Sequence, residues 1–284
     1  MRDLNNLEED LRSVVMSLGV KAAAALILVL AAASIYVVLV EVWRPRRVAE
    51  VEDRVEVADG VVYLPHPRVV SNMTVEEALL LRRSLRDYTD EPVTVMQLSM
   101  VLWAAQGISE VGREFRTAPS AGATYPLEVY VVVGKDAVLV GEGEYLPAGV
   151  YKYDVKLHAL RLVKPGDWRR SLMEAALNQR WVGYARVNLV ICAVYERTTW
   201  RYGERGVRYV HIEVGHVGQN VYLMATALGL GTVAVGAFDD DRVAEIVDAE
   251  PEERPLYIMP IGVPVQPYKT SFADVRSYYE SRRG

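Results

Sequence analysis

Residues 187–235 read VNLVICAVYERTTWRYGERGVRYVHIEVGHVGQNVYLMATALGLGTVAV. The apolar run over 187–195 is short and nearly unbroken, the pattern of a strand buried on both faces. A long helix is expected over 207–228, ended by Gly229 and Gly231. Residues 232–235 then return to a short strand. A buried strand, a long helix and a second strand in succession place the chain among folds that mix helices with a sheet.

The same pattern extends in both directions. Thr74-Val75-Glu76-Glu77 is a capping box, with a hydroxyl at the N-cap and a carboxylate three residues on. It predicts a helix running to about Ser84. A second box, Thr94-Val95-Met96-Gln97, opens a helix with Leu98, Val101, Leu102 and Ala105 on its apolar stripe and Gly107 at its end. Strands are expected over 128–133 and 256–261, and a hairpin over 149–163. Helices are expected over 167–179 and 240–247. The fold class is therefore α+β, or a mixed α/β sandwich, in one domain.

The chain has 284 residues, of which 51% are hydrophobic and 24% charged. These proportions exclude a disordered or collagen-like chain. A net charge of −5 argues against a nucleic-acid-binding partner. Cys192 is the one cysteine, so no intrachain disulfide forms. Its apolar surroundings make it a small core residue rather than a reactive thiol.

Part of the apolar content is concentrated in residues 22–40, AAAALILVLAAASIYVVLV, which carry no charge. As a helix this run covers about 28 Å, close to the hydrocarbon core of a bilayer. Trp43 follows at the expected interface. A cleaved signal peptide is the rival reading, but its apolar core is shorter and its leading segment basic. Here that segment carries Glu8, Glu9 and Asp10. The expected organisation is a tail over 1–13, a transmembrane anchor over 14–43, a linker over 44–59 and a catalytic-sized domain over 60–284. Arg44, Arg46 and Arg47 favour a cytoplasmic location for that domain, with the protein held at the membrane by one N-terminal pass.

Nucleotide-binding glycine motifs and the catalytic motifs G-x-S-x-G and H-E-x-x-H are absent. Glu213-Val-Gly-His216 has the spacing of a di-iron ligand pair, but no second copy exists, and no metal is expected. Four other features carry chemistry. Arg82-Arg83-Ser84-Leu85-Arg86 offers three guanidinium groups and a hydroxyl within five residues, a set suited to a phosphate monoester. A solvated basic helix end would look the same. Residues 117–128, TAPSAGATYPLE, are rich in small side chains, which let a flat ligand approach the backbone. Tyr209, Glu213, His216 and Asn220 share a helix face at spacings of 4, 3 and 4. Finally, VGAFDD over 235–240 ends a strand in Gly236-Ala237, where exposed N–H groups could meet a ligand, or simply turn the chain into a helix capped by an aspartate.

Taken in order, RRSLRDYTDEPV (82–93), TAPSAGATYPLEVYVV (117–132), the stretch 201–231 and VGAFDD (235–240) resemble the nitroreductase family of FMN enzymes. Among its branches, the similarity is greatest to the SagB-type dehydrogenases that act on thiazoline and oxazoline peptides. The resemblance spans roughly residues 60–268. It implies a three-layer α/β sandwich around a mixed antiparallel sheet, working as a homodimer with FMN at the interface. Arg82, Arg83 and Ser84 would hold the phosphate and ribityl chain, and Lys269 is a further phosphate candidate. Arg86 would sit near flavin N1 and O2, where a cation stabilises the charge that two-electron reduction leaves. Ser120, Gly122 and Ala123 would face the flavin of the partner subunit. Gly236 and Ala237 would present backbone N–H to N5, the atom that carries the hydride. NADH or NADPH is the implied electron donor, and a small molecule or a peptide the implied substrate.

Azoline dehydrogenases use a Lys-Tyr pair to remove a proton. Arg208-Tyr209 is the nearest match here, and arginine is not deprotonated in proteins. Tyr209 is thus left as the candidate acid or base. The function expected from the resemblance is hydride transfer through flavin N5. The alternative from another class is a non-catalytic, membrane-tethered scaffold within a peptide-modifying complex.

Overall fold

The structure, a computed structural model, describes residues 55–58 and 60–283. The expected transmembrane segment lies outside those residues. Among the described residues, no helix is long and apolar enough to cross a membrane.

One eight-stranded sheet organises the chain. Its strands are β1 (Glu56–Ala58), β2 (Val61–Tyr63), β6 (Leu127–Val133), β9 (Gly149–Asp154), β10 (Ala159–Pro165), β11 (Val187–Val194), β12 (Gly231–Thr232) and β13 (Glu253–Gly262). Their order is β1-β2-β10-β9-β6-β11-β13-β12, and every pairing in it is antiparallel. A parallel pair occurs in a separate small sheet, where β3 (Val93–Thr94) meets β7 (Val138–Gly141), itself paired with β8 (Glu144–Tyr145). A two-stranded ribbon, β4 (Ile108–Glu110) with β5 (Phe115–Arg116), completes the strands. The first strand, β1, lies within the stretch expected as linker and pairs with β2, so the sheet begins before residue 60.

Alternation along the central strands builds two cores. In β6, Leu127, Val129, Val131 and Val133 pack into one cluster, whereas Tyr130 and Val132 pack into the other. In β11, Leu189 and Ile191 face the first cluster and Val190 and Cys192 the second. This is the period-two rule for a strand covered on both faces. All eight residues of β11 are buried. The first core is closed by α2 (Val95–Gln106) and α6 (Arg205–Ala227). The second is closed by α3 (Arg169–Ala175), α4 (Arg180–Tyr184) and α7 (Asp240–Val247). Helices therefore cover both sides of one sheet, in three layers. Burial raises the pKa of the Cys192 thiol well above its ordinary value, consistent with an inert core residue.

Both capping boxes form. In α1 (Val75–Leu81), Thr74 accepts from Glu77 N at 3.2 Å and Glu77 returns the bond to Thr74 N at 2.9 Å. Thr94 and Gln97 do the same for α2. Gln97 also donates to Leu228 O, tying α2 to the end of α6. Thr94→Ala is expected to cost about 1 kcal/mol and to lower Tm by roughly 2–4 °C, read by thermal unfolding.

Two of the expected helices differ from the sequence expectation. The helix expected to reach Ser84 stops at Leu81, because Arg82 turns extended (ψ 127) and Ser84 pairs in parallel with Thr232. The helix expected over 167–179 divides into α3 and α4, because Leu177 and Asn178 take left-handed φ of 56° and 59°. Two helices went unforeseen: α5 (Glu196–Tyr202) and the exposed α8 (Phe272–Arg283).

Candidate functional site

The Arg82–Arg86 segment is an extended strap, not a helix end. Leu85 N donates to Thr232 O at 3.0 Å, Thr89 N to Val263 O at 2.8 Å, and Val265 N to Asp87 O at 3.0 Å. The strap lies close against two glycines. A Cβ on Gly231 would come within 3.1 Å of Leu85, and one on Gly262 within 3.0 Å of the Tyr88 ring. The glycines at the sheet's end therefore serve close packing of this strap.

The side chains of the strap divide by what they touch. Ser84 Oγ lies 2.9 Å from the hydroxyl of Tyr222, which also accepts from Ala234 N at 2.8 Å. Tyr222, on α6, thus joins the strap to the chain leading into Gly236. The Arg82 guanidinium stacks over the Tyr222 ring, 5.2 Å from its centroid. It makes no hydrogen bond within the described residues. Arg83 donates to Leu80 O and Arg82 O and stacks on Tyr268 at 3.8 Å. That stack brings the C-terminal segment beside the arginines, and the exposed Lys269 follows Tyr268 directly. Arg86 is exposed and lies over Trp181 of α4 at 5.2 Å.

Gly236 and Ala237 are exposed. Among the described residues their N–H groups have no acceptor, while Ala237 O accepts from Gln179 at 2.8 Å. Gln179 immediately precedes α4, which carries Trp181. Arg82, Ser84, Arg86, Gly236 and Ala237 are therefore linked through Tyr222, Gln179 and Trp181. The donor set fits an anionic group at one end, with the Arg82 guanidinium and the Ser84 hydroxyl, and a hydrogen-bond acceptor at the other. Tyr222, Trp181, Gln179 and Tyr268 were missed in the sequence, where nothing local marks them as neighbours.

The loop of small residues forms a second locus. Ser120 Oγ accepts from Tyr125 N at 2.9 Å. Gly122, Ala123 and Tyr125 have left-handed φ of 62°, 53° and 44°. For Gly122 the conformation costs little; for the other two it must be held from outside. A side chain at Gly122 would also collide with Tyr202 Oη and Arg201. Helix α5 supplies the hold: Arg201 donates to Gly122 O, Arg197 to Tyr125 O at 3.2 Å, and Thr198 Oγ1 lies 2.8 Å from Thr124 Oγ1. Tyr209 is half-buried, its ring edge-on to Tyr202 with centroids 5.1 Å apart. It reaches the loop through Tyr202.

The polar stripe of α6 separates into different roles. Asn220 donates to Ala104 O at 3.0 Å and Thr117 O at 3.4 Å, anchoring the start of the loop. His216 is exposed, whereas Glu213 is 2% exposed. Burial pushes the Glu213 carboxyl up to about 7, opposed by the nearby polar side chains of Ser120 and Gln106 and by the charge of Arg116. Among the described residues, no cluster of three metal-ligating side chains occurs.

Among the described residues no hydrogen bond or ion pair links residues 120–123 to residues 82–86. Glu213, beneath the loop, and Tyr222, beneath the strap, are nine residues apart on α6, about 13 Å along its axis.

The family model of the nitroreductase family fits residues 79–263, which include the strap, the small-residue loop and the Gly236 turn. The chain is 49% identical over 193 residues to a Methanocaldococcus jannaschii protein, MJ1384, assigned by name to the nitroreductases; the match covers 68% of this chain and 92% of the relative. It is 28% identical over 163 residues to the Microcin B17-processing protein McbC of Escherichia coli, covering 56% of this chain and 57% of the relative. A crystal structure from Ralstonia eutropha JMP134, also assigned by name to the nitroreductases, superposes with a TM-score of 0.62 at 29% identity. It covers 75% of this chain and 95% of that one.

Proposed function

We infer, starting from the fact that this chain belongs to the nitroreductase family, that it is an oxidoreductase that works with bound FMN. One observation carries the cofactor assignment: the strap sets Arg82 and Ser84 on one tyrosine, with the Arg82 guanidinium lacking an acceptor among the described residues. A doubly charged phosphate accepts such forked donors well. In this proposal Arg82, Ser84 and Lys269 hold the phosphate and ribityl end. Arg83 contributes by fixing Tyr268, and so the C-terminal segment, beside them. Arg86 would place its charge near N1 and O2, and the N–H groups of Gly236 and Ala237 would serve N5. When bound, FMN supplies the two-electron hydride chemistry; the protein binds, orients and sets the electrostatics.

The loop with Ser120, Gly122 and Ala123 stands apart from the strap of its own chain. We assign it to the flavin held by a second copy, so the working unit is a homodimer with sites between subunits. NADH or NADPH is the electron donor in this account, and a small electron-accepting molecule the substrate. The similarity to McbC favours a second reading, in which a modified peptide is oxidised and Tyr209 acts as acid or base beside the loop. The apolar run over 22–40 would anchor the enzyme at the membrane, with the catalytic domain on the cytoplasmic side.

Titration of FMN into the purified full-length chain tests the assignment. The expected result is quenching of flavin fluorescence that saturates, with a yellow protein absorbing at about 450 nm. A chain that takes up no FMN overturns it.

A further inference from the structure

The segment that follows β2 is pinned to the domain by three side chains that the flavin reading leaves unused. Ser99 of α2 donates to Pro65 O at 2.6 Å, and its Oγ lies 2.8 Å from His158 Nε2. His158 stands in the turn between β9 and β10. Its Nε2 is also 3.1 Å from Pro65 O, and its Nδ1 is 2.7 Å from the hydroxyl of Tyr153 on β9. Ser99, Pro65 and Tyr153 are buried and His158 is half-buried. The backbone closes the same joint. Leu64 N donates to His158 O at 3.1 Å, and His158 itself is held at a left-handed φ of 48°.

The direction of each hydrogen bond follows from counting hydrogens. A carbonyl can only accept, so the single hydroxyl hydrogen of Ser99 goes to Pro65 O. Ser99 Oγ must then accept from Nε2, which therefore carries the imidazole hydrogen. Nδ1 is left with a lone pair, and Tyr153 donates to it. The relay runs from Tyr153 to His158, from His158 to Ser99 and from Ser99 to Pro65 O, with every group satisfied while the imidazole is neutral. A second proton would sit on Nδ1, facing the tyrosine hydrogen. Tyr153 would have to turn that hydrogen away, and among the described residues its hydroxyl has no other hydrogen-bond partner. The result is a buried donor left unpaired beside a cation drawn out of water.

We propose that this relay is an acid-opened clasp, which closes residues 64–65 onto α2 and the β9–β10 turn while His158 is neutral and releases them when His158 takes a proton. Beyond Pro65 the chain runs through residues 66–73 into α1 and then the strap, so opening loosens the approach to the strap. A consequence for cofactor binding rests on the flavin assignment; the clasp does not.

Burial lowers the His158 imidazole from 6.5 to about 4; the Pro65 carbonyl opposes this and the charge of His66 adds to it. Tyr153 is faced in turn by Arg116 of β5 and Asp154 of β9. Between those two values the opened chain holds a proton that the closed chain lacks. The clasp is therefore at full strength above 6.5 and weakens as pH falls toward 4.

Backbone amide exchange over residues 61–70, in full-length protein without added flavin and corrected for intrinsic rates, tests the proposal. Each pH unit in the titrating range changes the opening equilibrium by up to about tenfold. Protection of the Leu64 amide is thus expected to fall at least about tenfold from roughly pH 7 to 5, while that of β11 at the sheet's centre holds. His158→Asn tolerates the left-handed backbone, but it cannot ionise and is too short to complete the relay. Its Leu64 amide should be as open at neutral pH as the wild type is in acid, with a flat profile. Long-range proton–nitrogen NMR of the wild-type imidazole, assigned by its loss in His158→Asn, should show the Nε2–H tautomer at neutral pH. Leu64 protection that does not vary with pH, an Nδ1–H tautomer, or wild-type protection in His158→Asn overturns the proposal. Because no flavin is added, the outcome is separate from whether FMN binds at all.

Discussion

Arg82→Ala/Ser84→Ala is expected to yield a folded chain that has lost at least about a hundredfold in FMN affinity. Each charge-assisted hydrogen bond to a phosphate is worth roughly 1.5–3 kcal/mol, and every 1.4 kcal/mol is about tenfold in Kd. The residues are suited to show binding loss without unfolding. Ser84 is exposed and Arg82 is half-buried against a tyrosine ring. The strap itself is held by backbone bonds from Leu85, Asp87 and Thr89, which the substitutions leave intact. Fluorescence titration gives the affinity, and an unchanged Tm confirms that the fold survives. Equal affinities in wild type and variant would show that the strap is not the phosphate site.

The largest effect on stability is expected at Glu253. This carboxylate, 2% exposed, opens β13 beside Tyr130 of the second core. It accepts from Tyr130 Oη at 2.5 Å, from Lys152 Nζ at 2.5 Å and from Glu250 N at 3.3 Å. Removing it leaves three donors without their acceptor, one of them a cation. Breaking such a buried pair costs about 3–5 kcal/mol, so Glu253→Ala should lower Tm by on the order of 10 °C. Lys152 is 29% exposed and has partial access to water. Glu253→Gln keeps the shape and an acceptor for Tyr130, and should therefore lose distinctly less. Thermal unfolding followed by circular dichroism separates the two. A Glu253→Ala chain as stable as wild type would show that the triad contributes little to the fold.

Much of the architecture was legible because local signals agreed with the final packing. The strand over 187–194 is an unbroken apolar run, and both faces of it are buried. The boxes at Thr74 and Thr94 announce helices whose caps form as expected. Legibility failed where tertiary contacts overrode local pattern. Nothing near Arg82 says that Thr232, some 150 residues away, will draw the chain out of a helix. The break at Leu177 and Asn178 falls in a stretch with helical composition, at two non-glycine residues with left-handed backbones. Helix α5 carries two threonines and no clear stripe, and is held by contacts to the loop it covers.

The site was legible as a set of residues and not as a geometry. Arg82, Ser84, Arg86, Gly236 and Ala237 are brought together, but through Tyr222, Trp181 and Gln179, which resemble ordinary core or surface residues in sequence. Arg83, which the resemblance groups with the phosphate ligands, caps backbone carbonyls and stacks on Tyr268. In the sequence Glu213 reads as part of a polar stripe and of a Glu-x-x-His spacing. Its burial, and the lack of a partner for one of its oxygens, follow from how α2 and α6 meet.

The proposed function requires that this chain bind a flavin and that a nicotinamide donor reduce it. Anaerobic addition of NADH, and separately of NADPH, to the FMN-loaded protein tests this most directly. Loss of the absorbance at about 450 nm with one or both donors, and its return on adding a nitroaromatic or quinone acceptor, is the predicted result. A protein that holds no FMN, or whose flavin neither donor bleaches, would contradict it.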